Sequence, residues 1–176
     1  SPKQTACLGE LLTLNSTSIE GDASITGYSW DFGDGTIDKS KIPKHAYGTE
    51  GKYNVSLIVT DANGCFSKIT SNAFFLIHPS PNVDFRQDVL FDCKAPSEVS
   101  FTNKSIGTGL RYKWVFGDGN TSSLENPKNT YTSEGQYAIS LEATSDKGCT
   151  SKKVINPGIT IEPLRVDFSG KPKSLC

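Results

Sequence analysis

Two stretches of the chain alternate apolar and polar residues at every step. In the first, Tyr53, Val55, Leu57 and Val59 fall on one face, and Asn54, Ser56, Ile58 and Thr60 on the other. In the second, Tyr137, Ile139, Leu141 and Ala143 face away from Ala138, Ser140, Glu142 and Thr144. A period of two predicts strands with one face against a core and the other largely toward solvent. Tyr28, Trp30 and Phe32 alternate in the same way, as do Tyr112, Trp114 and Phe116, so each aromatic trio lies on one side of a strand. Turn-forming clusters flank the long runs: Thr-Glu-Gly and Asp-Ala-Asn-Gly around the first, Ser-Glu-Gly and Ser-Asp-Lys-Gly around the second. No segment sustains helical periodicity with caps, and the pattern predicts an all-β chain of packed antiparallel sheets.

The two runs belong to a repeat. Trp30, Phe32, Gly33, Asp34, Gly35, Pro43, Tyr47, Gly51, Tyr53, Leu57, Thr60, Gly64 and Cys65 each recur 84 positions later, from Trp114, Phe116, Gly117, Asp118 and Gly119 to Cys149. Upstream the offset becomes 87, because residues 11–18 match 98–105, which places a three-residue difference in the loop before the Trp strand. The Asn-Val-Asp-Phe at 82–85 is echoed by Arg-Val-Asp-Phe at 165–168, the expected start of a third copy. The expected units are therefore 1–79, 80–163 and the beginning of another at 164–176. No Val-Asp-Phe stands ahead of the first copy, which leaves a sheet edge there open. Proline in the junctions His-Pro-Ser-Pro-Asn and Ile-Glu-Pro-Leu-Arg limits bending between units.

Composition narrows the function classes. With 18 basic and 19 acidic residues in 176, the formal net charge is -1, and no overall field recommends nucleic acid or an anionic membrane as partner. The richest apolar run, Ala73 to His78, is strand-sized, far short of the roughly 18 residues of a membrane span. The chain starts without Met and contains none, which reads as an excised or mature segment.

The Trp-Asp-Phe-Gly-Asp-Gly stretch, the following Pro and His-Ala-Tyr, and the run from Gly51 to Cys65 resemble the PKD domain, and the second copy follows the same order. The resemblance covers residues 8–162 and implies a seven-strand immunoglobulin-like β-sandwich for each unit. A cysteine before the second strand and a Gly-Cys after the long strand resemble the PKD repeats of Bacteroidetes surface proteins, among them SprB-type gliding adhesins. Two positions depart between copies: Val115 stands where the first has Asp31, and Asn129 where it has His45. Neither Asp31 nor His45 is thus expected to carry a shared function.

The repeated Gly-Asp-Gly has two readings. Asp34 and Asp118 between glycines suit a tight turn, with Gly at positive φ and Asp bonding nearby amides. The rival is a calcium site, since some PKD-like modules of secreted collagenases bind calcium. Asp34 and Asp38 lack a dense ligand series, however, and the second copy has no acid matching Asp38. The aromatic trios are expected in the core rather than as a sugar-stacking platform. Glycan recognition would instead use the loops 18–26 and 105–110, which differ between copies. His45 and His78 have no counterpart in the second copy and read as surface or turn residues. No HExxH, GxSxG or phosphate-cradling loop occurs, so no catalytic role is expected. Sequons at Asn15, Asn54, Asn103 and Asn120 matter only in a eukaryotic secreted context.

Five cysteines without a Cys-x-x-Cys pair argue for disulfides in an oxidising compartment. The simplest pairing is Cys7 with Cys65 and Cys93 with Cys149, leaving Cys176 a partner outside the chain; a bond from Cys7 to Cys149 would instead join neighbouring units. The expectation is a non-enzymatic, extracellular, cell-surface segment without cofactor, its partners being neighbouring repeats and, beyond them, polysaccharide or surface machinery. Such a segment would space an adhesive region, as in a gliding adhesin. The alternative is an accessory substrate-binding module of a secreted polysaccharide- or protein-degrading enzyme.

Overall fold

A computed structural model describes residues 4–163, and the expected third-repeat start at 164–176, with Cys176, lies outside them. The chain divides into two units, Ser1–Pro79 and Ser80–Cys176. All regular structure among the described residues is strand.

The first unit contains β1 (Gln4–Cys7), β2 (Leu12–Thr13), β3 (Ile25–Asp31), β4 (Ile37–Asp38), β5 (Lys44–His45), β6 (Gly51–Asp61) and β7 (Phe66–His78). One sheet runs β1-β7-β6-β3-β4, and a second pairs β2 with β5. The second unit contains β8 (Phe85–Gln87), β9 (Phe91–Asp92), β10 (Ser97–Asn103), β11 (Arg111–Val115), β12 (Thr121–Ser122), β13 (Lys128–Tyr131), β14 (Gly135–Thr144) and β15 (Thr150–Ile161). Its sheets run β13-β10-β8 and β12-β11-β14-β15-β9. β1 and β9 each add to the long last strand of their unit in parallel, while the remaining pairings are antiparallel.

Alternation is what fills the space between the sheets. Tyr53, Val55 and Leu57 of β6 pack with Leu14, Trp30, Phe32, Tyr47, Phe75 and Ile77, and their β14 counterparts Ile139 and Leu141 pack with Val99, Phe101, Trp114, Phe116 and Tyr131. Trp30 and Phe32 are 6% and 1% exposed, Trp114 and Phe116 0% and 1%, so these rings are core and offer no stacking platform. Tyr28 and Tyr112, at the outer end of each trio, are half-buried.

The register excludes the simplest cysteine pairing. Cys7 pairs with His78, at one end of β7, and Cys65 lies in the turn at the other end, where Thr60 faces Phe66. Likewise Cys93 follows Asp92, which faces Ile161, whereas Cys149 precedes Thr150 at the opposite end of β15. Along the facing strands, from Gly51 to Thr60 in β6 and from Gly135 to Thr144 in β14, nine steps separate the two ends of each unit, on the order of 30 Å. A disulfide needs Cα atoms about 4.4–6.8 Å apart. Consistently, Cys65 is a free, exposed thiol, while Cys7, Cys93 and Cys149 are each disulfide-bonded. Strand length therefore overturns the Cys7–Cys65 and Cys93–Cys149 pairs.

Candidate functional site

The Gly-Asp-Gly stretch connects β3 to β4 and β11 to β12. All four glycines have positive φ, from +78° at Gly33 to +97° at Gly119. The first glycine of each pair is required twice over. A Cβ on Gly33 would stand 2.3 Å from the carbonyl oxygen of Asn54, and one on Gly117 2.7 Å from that of Ala138. Asn54 and Ala138 sit where the register of the long strands slips, between Tyr53 and Val55 and between Tyr137 and Ile139. The turn thus rests on a β-bulge, and only a residue without a side chain fits between them.

The aspartate satisfies the turn's donors. Asp34 Oδ1 accepts from the Thr36 amide at 3.0 Å and from its hydroxyl at 2.6 Å, while Asp34 Oδ2 lies 2.7 Å from His45 Nε2. Asp118 Oδ1 accepts from the Asn120 amide at 2.9 Å, and its Oδ2 from the side-chain amides of Asn120 at 3.0 Å and Asn129 at 2.7 Å. Each carboxylate therefore latches its turn onto the strand opposite, β5 or β13. His45 is not a surface residue: its side chain is 12% exposed and its ring stacks on Phe32 at 4.1 Å. Asn129, 7% exposed, performs the same bridging in the second unit, so the His-to-Asn difference preserves a shared role that residue identity concealed. Asp31 accepts from the Gly33 amide at 2.9 Å, a contact specific to the first unit.

Burial pushes the Asp34 carboxyl up, but the Thr36 hydroxyl and amide and then His45 more than offset it, leaving it below the ordinary carboxylate value. A second latch closes the same turn from inside. Tyr47 donates its hydroxyl to the Phe32 carbonyl at 3.0 Å, and Tyr131 to that of Phe116 at 3.1 Å. Burial raises both phenols above their usual range, so they stay protonated donors. Recurrence marked Tyr47 and Tyr131 in the sequence without revealing this task. The calcium candidates Asp34 and Asp118 thus have their oxygens directed at protein donors, and no cluster of three His, Cys, Asp or Glu side chains forms among the described residues.

An opening of about 710 Å³ lies in the first unit between β2 with the chain that follows it and the inner face of β6 and β7. Residues 13–19 form one wall, with Trp30 at its floor and Val55, Leu57, Ile69 and Phe74 opposite. Asn15 lies in that wall, and the loop 18–26 begins there.

These features define a class: tandem immunoglobulin-like sandwiches whose repeated polar motif is a turn. The PKD domain profile matches residues 1–75 and 78–159, and the chain belongs to the PKD domain family. A microbial collagenase of Vibrio alginolyticus is 42% identical over 64 residues, 36% of this chain and 8% of the collagenase. The pre-pro-metalloprotease PrtV of Vibrio cholerae is 41% identical over 135 residues, 77% of this chain and 15% of that protease. Among solved structures, the PKD1 domain of Vibrio anguillarum Epp is 32% identical with a TM-score of 0.40, covering 48% of this chain and 95% of that domain. The chain therefore spans only a small part of the proteases that it matches.

Proposed function

We propose that this chain is a non-catalytic accessory segment of a secreted protein-degrading enzyme, in which two PKD modules hold the catalytic part against a fibrous protein substrate. The carrying observation is the family membership together with relatives that are collagenases and a metalloprotease, in each of which the matched segment is a small share of the length. The geometry agrees, because the repeated Asp, Gly and Tyr groups are consumed in holding a turn and leave no exposed nucleophile-base pair in it. Disulfide-bonded cysteines favour an extracellular location. The gliding-adhesin spacer expected from the sequence has no support in these relatives, and attachment to a cell surface is not needed by this reading.

The test is cosedimentation of the chain with insoluble collagen, with cellulose and chitin as parallel arms. Saturable retention on collagen without hydrolysis is the expected result. Retention on the polysaccharides alone would move the substrate class, and retention on none of the three would overturn the positioning role.

A further inference from the structure

The outward faces of the two large sheets share a layout and differ in chemistry. In the first unit, Ile37 of β4 faces Asp31, Ile58 of β6 faces Ser29 and Lys68, and Phe66 of β7 faces Thr60. These positions alternate with the core residues Trp30 and Leu57, so they point away from the core. By the offset of 84, Ile37, Ile58 and Phe66 correspond to Thr121, Glu142 and Thr150. All three apolar side chains are thus replaced by polar ones in the second unit. There Glu142 stands in register between Lys113 and Lys152, and the hydroxyls of Thr150 and Thr144 bond each other at 3.0 Å.

Phe66 is 75% exposed, Ile37 65%, and Ile58 between them is half-buried. Thr150 is exposed as well, so the Phe66 position belongs to the surface in both units. With strands about 4.8 Å apart and a rise of about 3.3 Å per residue, the register puts Ile58 about 8 Å from Phe66 and about 12 Å from Ile37. The three form an oblique apolar line, roughly 20 Å long, across the strands. Ser29 and Thr60 border it on one side, Asp31 and Lys68 on the other. A row of large apolar side chains left open to water, in a fold whose second copy does without it, marks a contact surface.

We propose that the Ile37-Ile58-Phe66 line is the surface on which the first unit holds substrate, and that its ligand is an uncharged, proline-rich triple-helical segment. This rests on the reading of the chain as a module for a fibrous protein substrate. Each strand of a triple helix is polyproline-like and advances about 9 Å per Gly-X-Y triplet, so the line spans about two triplets. Proline rings pack on exposed aromatic and aliphatic side chains, and Phe66 supplies the ring here. The hydroxyls of Ser29 and Thr60 lie where they can bond the carbonyls that a triple helix leaves to solvent. The second unit is unsuited to the same ligand, because an uncharged rod laid on Glu142, Lys113 and Lys152 would strip water from charges without pairing them.

The experiment measures retention of the full chain on collagen fibrils and on an immobilised triple-helical Gly-Pro-Hyp peptide. Phe66→Thr, alone and combined with Ile37→Thr and Ile58→Glu, gives the first unit the residues of the second. Retention of the parent on both supports is the expected result, roughly tenfold weaker in Phe66→Thr, as the loss of one aromatic contact predicts, and abolished in the triple variant. Melting temperatures matching the parent show that the variants are folded; should the triple variant melt early, Phe66→Thr alone decides, since its position is exposed. Fibril binding indifferent to the substitutions overturns this inference and leaves the accessory reading standing. Binding to fibrils but not to the peptide overturns the assigned ligand. A parent that binds neither support overturns the inference and the reading together. Dimerisation of the parent that Phe66→Thr abolishes would make the line a contact between copies, and overturns the proposal too.

Discussion

Substituting alanine at the two glycines of one turn separates conformational strain from close packing. Gly119 has φ +97° with nothing within 4 Å of an added Cβ, so Gly119→Ala carries only the left-handed penalty, about 1–2 kcal/mol. Gly117 has φ +83°, and its Cβ would stand 2.7 Å from the Ala138 oxygen and 2.9 Å from the Ala138 nitrogen. Those are backbone atoms of a bulge in β14 and cannot rotate aside, so overlap adds about 1–3 kcal/mol. Gly117→Ala is thus expected to destabilise by about 2–5 kcal/mol in total. The assay is urea unfolding in a Trp30→Phe background, so that Trp114 alone reports on the second unit. A leftward shift of the midpoint at unchanged slope marks a loss of stability. Equal losses at the two glycines, or a greater loss at Gly119, would refute the claim that the turn is seated on the bulge.

Further outcomes follow from the same geometry. Phe85→Ala should cost the second unit about 3–5 kcal/mol by emptying the space over Trp114, read by the same urea titration. Tyr131→Phe removes the donor to the buried Phe116 carbonyl and should cost about 1–3 kcal/mol with little change in packing, which thermal unfolding checks. Asp34 lies below its ordinary value of 3.8 when folded, so its contribution is present above that value and is lost as pH falls through the depressed one. Asp34→Asn should therefore flatten the acid limb of the first unit's stability below about pH 4, measured by Trp fluorescence between pH 6 and pH 2. A thiol reagent applied to the native chain should label Cys65 and spare Cys7, Cys93 and Cys149, as read by peptide mass mapping.

The fold was legible because period-two alternation and core packing are local to each strand: Tyr53, Val55 and Leu57 are buried where spacing placed them. The aromatic cores were legible for the same reason. What escaped was pairwise and long-range. The cysteine expectation took the simplest pairing within each unit, although the length of β7, Phe66–His78, separates the turn holding Cys65 from His78, the position facing Cys7. His45 and Asn129 looked unrelated because side-chain identity differs, yet each reaches the aspartate of its turn at 2.7 Å. The exposure of Ile69, which faces the buried Leu57 across the ladder, needs the register to be seen.

The central claim is that the repeated Gly-Asp-Gly is a turn-holding device in a non-catalytic module and not a site. Its most direct test is thermal unfolding of the chain in excess chelator and in millimolar calcium, with Asp34→Asn and Asp118→Asn alongside. The account predicts superimposable transitions for the parent in both conditions, and lower midpoints for both variants irrespective of calcium. A calcium-dependent rise in the parent's midpoint that either substitution abolishes would contradict it.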